Sequence, residues 1–155
     1  MLTITQDSRE KDPLYFPELV GMSVSVGFLD FGDYGARYND SVIKTVFERK
    51  SLGDLFNSYT SNYEAEKAKF LRAHESGFRF ILAIEEPFSE VLKGHTYRKN
   101  GELVESKKSG ISMIRQLMTI TNKYGVEVHY FQSRREMALY IQEYFLAFKR
   151  ISDAK

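Results

Sequence analysis

The chain has 155 residues, 43% of them apolar, which is enough to fill one core and leaves little room for a second module. Its 22 basic and 21 acidic residues nearly cancel to a net charge of +1, so attraction to a polyanion has to come from local clusters. The absence of cysteine excludes a disulfide framework and a thiolate zinc site, the three histidines form no ligand motif, and no apolar run approaches the roughly 20 residues of a membrane span. Met1 to Gln6 also lacks the basic and apolar regions of a signal peptide. The expectation is one soluble, cytoplasmic domain over residues 1–155.

Leu2 to Thr5 is short and β-branched and reads as a first strand that runs into the charged turn Asp7-Ser8-Arg9-Glu10. Pro13 and Pro17 argue against a helix between them. Met22, Val24, Val26 and Phe28 alternate as a second strand reaching Leu29. Gly32 and Gly35 bracket an expected turn at Asp33-Tyr34, after which Ser41 to Glu48 resumes a strand.

Leu52, Leu55, Phe56 and Tyr59 recur at helical spacing, and Tyr63 to His74 continues helical until Gly77 stops it. Phe78 to Glu85 is too apolar for a surface strand and predicts a central one covered on both faces. Lys93 to Ser109 is polar and contains Asn100-Gly101, the signature of a tight turn in a hairpin or mobile loop. Ile111, Ile114, Leu117 and Met118 mark another helix, and Val126 to Tyr130 a short strand. Ser133 and Glu136 form a capping box for a last helix, whose apolar face runs through Met137, Tyr140, Ile141, Tyr144, Phe145 and Phe148 and is widened by Leu139 and Leu146. This order describes an α/β fold, a mixed β-sheet flanked by helices on both faces.

Chemistry concentrates at one strand end. In an extended strand Glu48 and Lys50 share a face while Arg49 points to the other, so a metal ligand and a cation can meet the same phosphate. Asp33 precedes Glu48 by fifteen positions, far enough for another segment to bring a second carboxylate alongside. Alone, Asp33 between glycines would be an ordinary turn aspartate, and Glu48-Arg49-Lys50 a solvated strand end.

Taken in order, Asp7-Ser8-Arg9-Glu10, Gly32-Asp33-Tyr34, Glu48-Arg49-Lys50-Ser51 with Asp54, and Leu82-Ala83-Ile84-Glu85 resemble the nuclease domain of the XPF, Mus and Hef structure-specific DNA endonucleases. The resemblance covers nearly the whole chain. It implies a restriction-endonuclease-like core, a magnesium or manganese requirement, incision of branched, flapped or junction DNA, and a homodimer. By that similarity Asp33 and Glu48 ligate the metal, while Lys50 orients the attacking water or offsets negative charge. Asp7 is then a further ligand or the holder of Arg9. Arg9, Glu10, Arg49 and Asp54 orient the site, with Arg49 alternatively gripping phosphate.

Two departures from the family pattern stand out. Tandem helix-hairpin-helix motifs, which usually follow this core, are absent from the sequence, so substrate choice could depend on a separate DNA-targeting protein. Where the family shows Gly-Arg and then Gln, this chain reads Ser61-Asn62-Tyr63-Glu64-Ala65-Glu66. The polar segment carries Lys93, Arg98, Lys99, Lys107, Lys108 and Arg115 against Glu102 and Glu105, a basic excess suited to DNA phosphates, and Tyr97 within it could stack on an unpaired base. The rival readings are a non-catalytic DNA-binding or scaffold subunit and a four-way-junction resolvase. A core of this size suits a prokaryote or its virus.

Overall fold

The computed structural model describes residues 1–155. Strands β1 (Leu2–Asp7), β2 (Met22–Gly27), β3 (Tyr34–Tyr38), β4 (Ser41–Val42) and β5 (Thr45–Lys50) come first. They are followed by α1 (Leu52–Ser61), α2 (Tyr63–Glu75), β6 (Arg79–Ile84), α3 (Phe88–Lys93), β7 (Thr96–Lys99), β8 (Glu102–Glu105), α4 (Gly110–Tyr124), β9 (Glu127–Tyr130) and α5 (Arg134–Asp153). The main sheet has the order β2-β1-β3-β5-β6-β9, with β4 paired to β3, and β7 and β8 form a separate hairpin. Strand β3 runs antiparallel to β1 and β5, whereas β5, β6 and β9 are mutually parallel and end at the same rim.

Period-two alternation divides the apolar side chains between two cores. Ile4, Tyr34, Phe47, Ile81 and Ala83 pack under α5 through Met137, Ile141 and Phe145. Val46, Phe80, Leu82 and Ile84 point the other way, against α1, α2, α3 and α4 through Leu55, Phe70, Val91 and Leu117. Because β6 is covered on both faces, all but its first residue are buried, as its continuous apolar run requires. The mixed sheet with helices on both faces is therefore the architecture that the order of elements predicted.

Local details differ from the sequence reading in four places. Tyr34 is the first residue of β3, not part of a turn, because the reversal is completed at Gly32 with φ +76°. The stretch from Ser41 to Glu48 divides at Ile43-Lys44, since left-handed Asn39 and Asp40 fold β4 back onto β3 before β5 begins. Strand β2 ends at Gly27 and lies at the sheet edge, which leaves Val24, Val26 and Phe28 exposed. Helix α3 was not anticipated, because six residues are too few to show helical periodicity. No helix is long and apolar enough to cross a membrane.

Candidate active site

The site lies where β5 and β6 end and α1 begins. Parallel pairing sets Glu48 opposite Leu82 and Lys50 opposite Ile84, and the Glu85 N–H donates to the Lys50 carbonyl at 2.9 Å, which clamps the end of β5. The Ser51 hydroxyl accepts from the Asp54 N–H and caps α1, so the chain turns into the helix directly after Lys50 and leaves Asp54 at the rim.

Asp33 is brought in by backbone contacts from two strands. Its N–H donates to the Phe47 carbonyl at 2.7 Å, its carbonyl accepts from Asp7 N–H at 2.8 Å, and its Oδ2 accepts from Arg49 N–H at 2.8 Å. The preceding Gly32 permits this approach: a Cβ there would sit 3.0 Å from Val46 Cβ and 3.1 Å from the Phe47 carbonyl oxygen. Asp33, Glu48, Lys50 and Asp54, with Arg9, Glu10, Lys11 and Arg49, line one open pocket of about 240 Å³ that contains no apolar residue.

On the face toward α1 and α2, Lys69 Nζ reaches Glu48 Oε1 at 2.5 Å and Glu66 Oε2 at 3.2 Å. Lys50 Nζ lies 3.0 Å from Ser58 Oγ and 3.5 Å from Glu66 Oε1. Glu48 is buried, and its Oε2 has no hydrogen-bond partner. Arg49 occupies the opposite face. Its Nη2 meets Glu10 Oε1 at 2.9 Å and its Nη1 meets Glu85 Oε1 at 2.7 Å, so both sides of the guanidinium are held by carboxylates. The same Glu85 oxygen accepts from Arg134 Nη1 at 2.6 Å.

Of the two roles expected for Asp7, the structure displays the holding of Arg9. Asp7 Oδ2 accepts from Arg9 Nε at 2.9 Å, and Oδ1 accepts from Arg9 Nη2 at 3.2 Å and from Leu29 N–H at 2.9 Å. Burial would raise the Asp7 pKa, but these donors outweigh it and hold the carboxyl below its usual range. Asp7 is thus a charged clamp that presents Arg9 at the pocket rim.

The ERCC4 domain model matches residues 6–144. The chain belongs to the ERCC4 domain family. Among solved structures it is similar to XPF from Aeropyrum pernix, with a TM-score of 0.66 and 21% identity, over 98% of this chain and 68% of that one. It is also similar to XPF from Aeropyrum pernix in complex with DNA, with a TM-score of 0.66 and 20% identity, over 97% of this chain and 66% of that one. The fold is the XPF nuclease-domain fold. A comparison with curated proteins returned no match.

Within this ERCC4 domain, the charge pattern of the pocket fits a hard divalent cation. Asp33 and Glu48 supply two carboxylates, one buried oxygen of which lacks any partner, and although Glu10 and Asp54 line the same pocket, no three acids, histidines or cysteines converge closely enough to hold an ion between them. Two carboxylates at the wall of an open polar pocket suit magnesium, which takes one or two protein carboxylates and fills its other positions with water. Burial pushes the Asp33 carboxyl up to about 7, reinforced by the nearby Glu48 charge and opposed by the Arg49 N–H. Burial likewise raises Glu48, against the pull of Lys69 and Lys50.

The Asp33 shift has a sign that can be tested in metal-free protein. Between its ordinary 3.8 and about 7, the folded chain holds a proton that the unfolded chain has released, so this group's contribution to stability declines as pH rises through that window and stays low above it. Asp33→Asn removes that dependence, and its melting temperature should exceed that of the wild type at pH 8 but not at pH 4. Melts in chelator at the two pH values check this; an equal offset at both would refute it.

Sequence reasoning missed Lys69, Glu66 and Glu85 as members of the site. Glu66 is buried on α2 together with Phe70 and Ala73. An acid at i, i+4, i+7 spacing with two apolar residues is a visible signal of a carboxylate facing inward. Of the basic residues expected on DNA, Lys93 pairs with Glu90 and Lys108 bonds to Gln116, whereas Arg98 and Lys99 are exposed on β7 and Lys107 borders a cleft beside α1.

Proposed function

We propose that this ERCC4-domain protein is a metal-dependent endonuclease that hydrolyses phosphodiester bonds in DNA at branches, flaps or junctions. The observation that carries the reading is the unpartnered, buried Glu48 Oε2 in the same polar pocket as Asp33. Family membership and the likeness to a protein solved in complex with DNA support DNA as the substrate. Magnesium or manganese held by Asp33 and Glu48 would supply positive charge against the phosphate oxygens and make water a stronger acid there.

The chain's own groups do the positioning. Lys50, steadied by Ser58 and Glu66, offsets charge on the scissile phosphate or orients the attacking water. Arg9, with 62% of its side chain exposed while Asp7 holds it, grips a neighbouring phosphate at the rim. Arg49 fixes the backbone and carboxylates around it, and Asp54 borders the entrance. The protein is read as a cytoplasmic homodimer whose nuclease domains pair through exposed Phe148 and Ile151, which share one edge of α5, with a separate DNA-targeting protein delivering the substrate.

Incision of labelled flap, splayed-arm, four-way-junction and linear duplex DNA, with magnesium, manganese or chelator, tests the proposal. Cutting that requires metal and a branch is the expected result. Symmetric nicking confined to the four-way junction would favour a resolvase. Binding without cutting under either metal would replace the enzyme with a scaffold subunit.

A further inference from the structure

We propose that the cleft between α1 and the β7–β8 hairpin binds an unpaired nucleotide, with the exposed face of Tyr97 as its stacking platform. Three rings form a staircase from the core to the surface. Phe56 is buried, His95 lies against it at 5.8 Å between centroids with a tilt of 32°, and Tyr97 stacks on His95 at 6.1 Å and 20°. Tyr97 remains 42% exposed, so the series ends in an aromatic face open to a further flat ring. Its support from His95 holds it in place before any ligand arrives, which reduces the ordering cost of binding.

The walls suit a nucleotide better than an apolar partner. Apart from the Phe56 and Tyr97 rings, the cleft of about 490 Å³ is lined by groups such as Asn57, Thr60 and Ser106, which can pair with base edges, and by Lys107, which can meet a phosphate. A base stacks through its π-face whatever its identity, so recognition of this kind selects unpaired strands with little sequence preference. A base held in a duplex has no free face to offer.

The cleft also adjoins the candidate active site. Gly53 borders the cleft, where a Cβ would meet the His95 ring at 3.6 Å, and the next residue, Asp54, borders the catalytic pocket. A strand leaving that pocket over the start of α1 would enter the cleft directly. This placement beside the reacting phosphate rests on the endonuclease reading, whereas nucleotide binding in the cleft does not.

Fluorescence anisotropy in chelator, with wild-type protein and a labelled thymidine oligonucleotide, measures binding without cleavage. Tyr97→Ala should weaken binding roughly 5- to 150-fold, the range set by loss of one base–aromatic stack. Tyr97→Phe should retain the wild-type affinity. An oligonucleotide of abasic sites should bind wild type and Tyr97→Ala alike. Lys107→Ala should lower the salt slope by about 0.7, as expected for one single-strand phosphate. Equal affinity of wild type and Tyr97→Ala for the thymidine strand, or an equal loss on intact and abasic strands, would overturn the proposal even if the protein cuts branched DNA.

Discussion

Asp33→Asn and Glu48→Gln are each expected to abolish incision while leaving junction binding largely intact. Both changes keep the side chain's shape and remove the charge that would hold a cation. The Asn amide oxygen can still accept the Arg49 N–H that Asp33 Oδ2 accepts now, so the backbone at the end of β5 is preserved. In the Gln variant Lys69 retains Glu66 as a counter-charge at 3.2 Å, which avoids a stranded ammonium. Loss of a Lewis acid worth several kcal/mol corresponds to a rate reduction on the order of 10³-fold or more. Single-turnover cleavage of a labelled flap, with a gel-shift assay in chelator, separates chemistry from binding. A rate within tenfold of wild type in either variant would sink the metal-ligand assignment.

Arg49→Met should produce the largest loss of stability among the site residues, about 3–5 kcal/mol, the cost of leaving a buried ion pair without one partner. The Arg49 and Glu10 side chains are only 10% and 7% exposed, and Glu10 would keep no cation of its own, whereas Glu85 retains Arg134. Denaturant unfolding should show a lower midpoint with an unchanged slope. Adding Glu10→Leu to the variant should recover part of the loss, because the stranded carboxylate is the main penalty. No recovery would mean that the methylene stem of Arg49 carries the stability by packing.

The elements legible in the sequence were those whose periodicity had a single cause. The apolar run at 80–84 could only be a strand covered twice, and the Ser133 to Glu136 capping box marked the start of α5, where the Ser133 hydroxyl accepts the Glu136 N–H. The opposed directions of Glu48 and Arg49 followed from the pleat alone. What stayed hidden were partners set by tertiary approach. Lys69 lies 21 positions from Glu48, and Glu85 is 36 from Arg49 and 49 from Arg134, separations at which no local pattern announces contact. For Asp7 the sequence offered both a ligand and a holder of Arg9, and it gave no sign that Leu29 N–H would also return to that carboxylate. The break between β4 and β5 was invisible for a related reason: it is made where the Thr45 N–H turns back to the Ile43 carbonyl, at residues that include neither glycine nor proline.

The reach of Glu85 to both Arg49 and Arg134, together with the cover that Tyr144 and Phe145 of α5 place over Phe47, ties the site to α5, a helix some fifty residues further along the chain. Domains fold as units, and contacts between distant segments cannot form before both exist. A chain that lacks α5 is therefore expected to leave Glu85 without Arg134 and to expose the apolar side of β5. Docking of one helix thus acts as a latch on the strand end that carries Glu48 and Lys50, so loosening α5 should disturb the pocket before the rest of the sheet gives way.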